Sequence, residues 1–172
     1  MTDVVLGIDS STQSTKVEAR ILDTGDVVAS ASASHPSTTP PVSEQDPTAW
    51  WSAVVAACAQ IPPQVRSQVV AVSVAGQQHG LVLLDEAGLP VRPAKLWNDT
   101  TSAAEATALV HATNPDAWAA AIGSLPVAAF TISKLAWVAH HEPANLARVA
   151  RVLLPHDYLT WCLSGRFVTD RG

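Results

Sequence analysis

Val4 to Lys16 reads VVLGIDSSTQSTK: an apolar run that ends in a carboxylate, breaks into small hydroxyl and amide residues and closes on a lysine. Val4, Val5, Leu6 and Ile8 have the short, β-branched character of a buried strand, and Gly7 permits close backbone approach beside its polar end. Asp9 is expected at the strand's mouth, where a carboxylate suits a hydrated Mg2+. The turn Ser10, Ser11, Thr12, Gln13, Ser14 and Thr15 offers hydroxyls and N–H groups to phosphate oxygens. Ser and Thr are also ordinary turn residues, so the same stretch reads equally as a polar hairpin between two strands. Spacing alone leaves both readings open.

The chain of 172 residues, 48% hydrophobic, is long enough for one sizeable domain with a real core. Its net charge is −5 and its ten Lys and Arg residues are scattered, which removes the electrostatic footprint of a nucleic-acid binder. A small molecule or a protein is therefore the expected partner. Cys58 and Cys162 lie far apart inside apolar segments, without metal-ligand spacing or the density of a disulfide framework, and read as buried thiols in a reducing compartment. The start MTDVVLGID has no basic region followed by an apolar stretch and a small-residue cleavage site. No apolar run approaches the ~18 residues that span a bilayer. A soluble, cytoplasmic protein with no membrane partner is the expectation.

Beyond the opening stretch the pattern is a β-meander. Lys16 to Leu22 predicts a second strand, Asp23-Thr24-Gly25-Asp26 a tight turn, and Val27 to Ala33 a third strand. In that third strand Ala29, Ala31 and Ala33 alternate with Ser30, Ser32 and Ser34, one set to each face. Ser34 to Pro47 is rich in Pro, Ser and Thr and carries no period, as a surface loop does. Asp46 and Pro47 then suit the cap and first position of a helix whose apolar face is Trp50, Trp51, Val54, Val55 and Cys58, stopped by Pro62-Pro63. Gln68 to Ala75 predicts a buried, parallel-type strand.

That strand runs into Gly76-Gln77-Gln78-His79-Gly80, which places three polar side chains at the carboxyl edge of a sheet, where open α/β sheets bind ligands. Gln77, Gln78 and His79 suit hydrogen bonds to a polyhydroxy compound; a connecting turn to a strand at Leu81 to Asp85 is the other reading. Asn98 and Asp99 stand at the end of a further short strand, with Asp99 either capping the helix that opens at Thr100 or Thr101 or facing the ligand. Alanine-rich helical windows continue to Val149, broken at Asn114-Pro115, Gly123 to Pro126 and Glu142-Pro143, with Trp118, Leu135, Trp137 and Val138 as their core. His140 and His141, near a helix end, read as solvated or dipole-compensating rather than as metal ligands. A last helix is expected from about Leu153, ended by Gly165.

The ordered series GIDSSTQSTK, SEQDPTAWW, AGQQHG, LWND, KLAWV, LLPHDYLTWCLSG and FVTD resembles the amino-terminal half of the FGGY carbohydrate kinases across essentially the whole chain, most closely the branch that acts on D-xylulose. The resemblance implies an α/β domain of the actin-like ATPase and ribonuclease-H-like type. Its sheet would be mixed and five-stranded, beginning with a three-strand antiparallel meander and flanked by helices on both faces. It implies ATP and Mg2+ as cofactors, D-xylulose as substrate and D-xylulose 5-phosphate as product, with a homodimer among the expected assemblies. Carried over by position, Asp9 would help hold Mg2+ and the phosphates, Ser11 and Thr12 would touch ATP phosphates, and Gln78, His79 and Asp99 would face the sugar. Gln78 stands where a methionine is common in that branch, which leaves a sibling kinase for ribulose, gluconate or glycerol as an alternative. A non-catalytic, actin-like sugar-binding module is the alternative from another class.

Residues 1–172 are thus expected to form an amino-terminal kinase domain, with a second actin-like domain supplying the general base and the adenine contacts outside this chain. Phosphoryl transfer needs both halves of such a site. A coupled assay on the isolated chain should therefore find no useful turnover, and normal turnover would refute that expectation.

Overall fold

The computed structural model describes residues 2–170. In chain order its elements are β1 (Val4–Ser10), β2 (Ser14–Ile21), β3 (Val27–Ser34), β4 (Glu44–Gln45), α1 (Pro47–Gln60), α2 (Pro63–Arg66), β5 (Val69–Gly76), β6 (Val82–Leu84) and β7 (Ala94–Lys95), then α3 (Ala103–Ala112), α4 (Pro115–Ile122), α5 (Thr131–His141), α6 (Pro143–Leu146), β8 (Arg151–Leu153) and α7 (Pro155–Ser164). They fall into two units. The first comprises the chain up to Ser37, Pro47–Gln77 and His156 onward; the second comprises Thr38–Asp46 and Gln78–Pro155.

In the first unit the expected meander forms one sheet of order β3-β2-β1-β5, antiparallel through its first three strands and parallel at β1 and β5. Alternation dictates its faces. Val4, Leu6, Ile8 and Ser10 point inward with Val17 and Ala19, whereas Gly7 and Asp9 point to the other, open face. The helix α1 packs on the inward face against β2 and β3 through Trp50, Ala53, Val54 and Ala57, a spacing that puts all four on one stripe. The stripe is rotated from the one the sequence predicts: Val55 is exposed and Trp51 and Cys58 are half-buried. Tyr158 of α7 meets Trp50 edge-on at 6.3 Å, and Gly76 abuts the backbone of His156 so closely that a Cβ there would lie 3.0 Å from its amide nitrogen.

Two features differ from expectation. The sheet has four strands among the described residues, where five are expected, and α1 covers the face that carries Leu6 and Ile8 while the Asp9 face stays open. Strand β5 pairs with β1 along one edge only. It is apolar as predicted but not buried, with Val70 57% and Val72 45% exposed.

The second unit is built from short pieces. Strand β4 pairs with β7, and β6 pairs with β8, each antiparallel. Strands of two or three residues have no period to detect, so β4 and β8 escape the sequence, and α7 begins at Pro155 rather than Leu153. Helix boundaries were more legible: Asn114 caps α4 by accepting the Asp116 N–H at 2.8 Å, Pro115 occupies its first turn, and Gly123 ends it at φ 75°. The core is Leu81, Leu83, Val91 and Val138, enclosed by Leu135, Trp137, Leu146 and Val149. Trp118 is half-buried and donates its indole N–H to the Leu109 carbonyl.

Inside this unit, fully buried Lys134 donates from Nζ to the carbonyls of Ala128 and Ala129. Burial, reinforced by the Lys95 charge and opposed by Asp99, holds its pKa down from 10.5 to about 8. The unfolded chain therefore binds a proton between pH 8 and 10.5 that the folded chain does not, so stability rises with pH through that window and is lost as pH falls through the folded value. Denaturant unfolding should gain up to roughly 3 kcal/mol from this group across the window. Lys134→Met should remove the gain, and parallel curves for the two proteins would refute it.

Candidate functional site

The first unit closes β1 and β2 with a hairpin, since Asp9 pairs with Lys16 and Ser10 with Thr15. The turn is only residues 11–13, because Ser14 and Thr15 already belong to β2. The Ser11 N–H donates to the Ser14 carbonyl at 2.9 Å, and the Ser11 hydroxyl donates to the same oxygen at 3.1 Å. That hydroxyl is thus folded back onto the hairpin, whereas the sequence offered it outward. Thr12 directs its hydroxyl to Gln77 Oε1 at 3.5 Å, and the Gln77 N–H donates to the Ser10 carbonyl at 3.1 Å. The end of β5 is thereby tied to the hairpin.

Asp9 sits one residue before the end of β1 and faces the open side of the sheet, in a depression of about 330 Å3 that Lys16, Glu18, Arg20 and Ser73 also line. Hydrogen bonds from Lys16 and then Arg20 hold the Glu18 carboxyl below its ordinary range. The nearby cations are committed to Glu18, and Asp9 makes no side-chain hydrogen bond or ion pair among the described residues. No group of three or more His, Cys, Asp or Glu among the described residues could form an all-protein metal cage. One exposed carboxylate beside a hydroxyl-bearing turn fits Mg2+, which keeps most of its waters and takes one or two carboxylates plus phosphate oxygens.

In the second unit, Gln78 is exposed and His79 is half-buried in a left-handed conformation, φ 61°, which is unusual for a residue with a Cβ. Its ring lies against Phe130, with centroids 4.8 Å apart. The next residue must be glycine: a Cβ on Gly80 would fall 2.5 Å from Pro155 Cγ. The left-handed backbone and the tilted contact with Phe130 together restrict the imidazole.

Asp99 is engaged inside the second unit. It is fully buried; Oδ2 accepts the Ser43 N–H at 2.9 Å, and Oδ1 accepts Lys95 Nζ at 3.2 Å and the Thr101 N–H at 3.0 Å as well as its hydroxyl at 2.5 Å. Burial raises its pKa, but the Thr101 and Ser43 bonds and the Lys95 charge outweigh burial and hold it low. Helix α3 starts later, at Ala103, so Asp99 is not its cap. With both oxygens engaged internally, it ties Ser43, Lys95 and Thr101 together.

Lys95, Phe130 and Lys134 are structurally prominent and were missed by sequence reasoning. A lone lysine within an apolar run, as in PAKLW and ISKLAW, is the signal that could have found the two cations. Lys95 Nζ sits 3.9 Å from the Trp137 ring centre and 3.1 Å from Glu44. His140 and His141 are exposed, as expected, and both approach Glu105, at 3.7 and 3.1 Å. Cys58 and Cys162 are free and half-buried, and burial pushes both thiols up.

Comparison with known proteins adds a family. Residues 4–172 match the N-terminal domain of the FGGY family of carbohydrate kinases. The chain is 49% identical over 170 residues to the xylulose kinase of Streptomyces coelicolor, which covers 98% of this chain and 35% of that protein. Against the xylulose kinase of Escherichia coli it is 40% identical over 170 residues, 96% of this chain and 34% of that one. The crystal structure of xylulose kinase from Bifidobacterium adolescentis aligns with a TM-score of 0.86 at 39% identity, over 99% of this chain and 36% of that chain. The chain spans about a third of the length of these two curated relatives. A match that runs through the hairpin of the first unit and the helical layer of the second leaves one conclusion: the chain belongs to the FGGY family of carbohydrate kinases, whose N-terminal domain it matches.

Proposed function

We propose that this chain is the amino-terminal part of a soluble, cytoplasmic kinase that transfers the γ-phosphoryl group of ATP to D-xylulose. The observation that carries this reading is the 49% identity to a xylulose kinase across 98% of the chain. Asp9 is the residue assigned to Mg2+, through water, and to phosphate positioning; its unpaired carboxylate on the open face of the sheet supports that assignment. Bound Mg2+ would neutralise charge that develops on the phosphates. Ser11 and Thr12 are assigned to ATP phosphates, with the hairpin bonds of Ser11 holding the turn in one shape.

Gln78 and His79 are assigned to the sugar. A ring aimed by φ 61° and braced by Phe130 can orient a hydroxyl without losing rotamer freedom on binding, which is where positioning lowers a barrier. Asp99 is assigned an indirect part: it fixes Lys95 and Thr101 and, through Ser43, the neighbouring chain. The general base is assigned to a region outside this chain, since Asp9 is assigned to metal and phosphate and Asp99 is enclosed. Among the described residues no helix is long and apolar enough to cross a membrane.

Full-length protein in a coupled assay with D-xylulose, ribulose, gluconate and glycerol tests the reading. D-xylulose should have the highest kcat/KM; preference for another acceptor would reassign the substrate, and binding without turnover of any would favour a sugar-binding module. Asp9→Asn should lower kcat by roughly 100-fold or more while sugar affinity changes little. Lost sugar affinity with kcat intact would contradict the role given to Asp9.

A further inference from the structure

We propose that His35 is a positioning residue for the hairpin turn 11–13 and, through it, for the nucleotide phosphates; this rests on the phosphate reading of that turn. His35 directly follows β3 and is only 8% exposed, on the inward side of the meander. It holds the hairpin at two levels. Its backbone N–H donates to the Gln13 carbonyl at 2.8 Å, gripping the turn itself. Its ring Nε2 lies 2.9 Å from the Thr15 hydroxyl oxygen, and the Thr15 hydroxyl donates to Ser10 Oγ at 3.2 Å, gripping both stems.

Thr15 and Ser10 are buried, so this chain of polar contacts runs in a low dielectric, where such bonds are directional and leaving one unmade is costly. Thr15 has one proton. It goes to Ser10 or to Nε2 according to the imidazole tautomer, and in either case the contact ties the ring to the hairpin stem. Burial keeps the ring from charging, against the pull of the Ser11 and Thr12 carbonyls on a proton. An aliphatic side chain would fill the same space without burying two polar ring nitrogens. What the imidazole adds is a rigid link from β3 to the hairpin.

The test uses full-length enzyme. His35→Leu keeps bulk but removes the ring bond, and should raise KM for ATP about tenfold while KM for D-xylulose stays within about twofold. His35→Gln, whose amide reaches the position of Nε2, should recover most of the loss. Thr15→Val removes the partner hydroxyl and should mimic His35→Leu, with the double variant no worse than either alone; this arm stands if His35→Leu fails to fold. An unchanged KM for ATP in His35→Leu or in Thr15→Val, or equal changes for ATP and sugar, overturns the proposal. Thr12→Val separates it from the reading beneath it. If Thr12→Val weakens ATP and His35→Leu does not, only the role of His35 falls; if Thr12→Val weakens the sugar instead, the phosphate assignment falls with it.

Discussion

Strand β1 is hydrogen-bonded along both edges, and its register is the constraint on which the rest of the first unit depends. Ser10 is paired at once with Thr15 on β2 and with Gly76 on β5. A slip of one residue on either side would turn Asp9 into the core and put Ile8 in water. Because burial of Leu6, Ile8, Val17 and Ala19 under α1 forbids that, the carboxylate is held on the open face by residues that never touch it. The same register brings Gln77 to the hairpin from 65 residues away, where it meets Ser10 and Thr12. His35 completes the arrangement from the third strand, so every strand of the sheet ends on the same turn.

The second unit is organised by charge instead of by a long sheet. Arg92, Lys95, Asp99 and Lys134 are all buried, and each is partnered: Glu44 bridges Arg92 and Lys95, Glu142 takes Arg92, Asp99 takes Lys95, and carbonyls take Lys134. Such networks add little net stability over a well-packed apolar core, but loss of one member strands another charge. What they specify is geometry. Short strands of two and three residues have few ladder bonds of their own, and the charged side chains hold them in place. Trp137 lies under Lys95 and stacks on His141, which joins α5 to that network.

Much of this was legible from residue order. The three-strand meander, the alternation of alanine and serine in β3, the helix opening at Pro47 and the breaks at Asn114, Gly123 and Glu142 all follow from local chemistry, and all are present. The polar hairpin and the phosphate cradle, which looked like competing readings of Ser10 to Thr15, are compatible: the stretch is a tight hairpin, and its turn faces out. The partners of Asp99 are not legible in the sequence, because Ser43, Lys95 and Thr101 converge through tertiary contact, one of them 56 residues distant. Lys95 and Lys134 are not legible as buried groups, because a lysine's usual place is the surface and only the fold gives its ammonium partners inside.

The sequence by itself determined the period of each long element, the positions of its breaks and the residue types available at the strand ends, since these are set by backbone sterics and by spacing of 2 or 3.6 residues. Tertiary structure alone decided which of those residues are free to act. Burial and pairing engage some side chains internally, as with Asp99, and leave others without a side-chain partner, as with Asp9. The physical reason is that a polar group's availability depends on what surrounds it, and its surroundings come from parts of the chain that no local window contains.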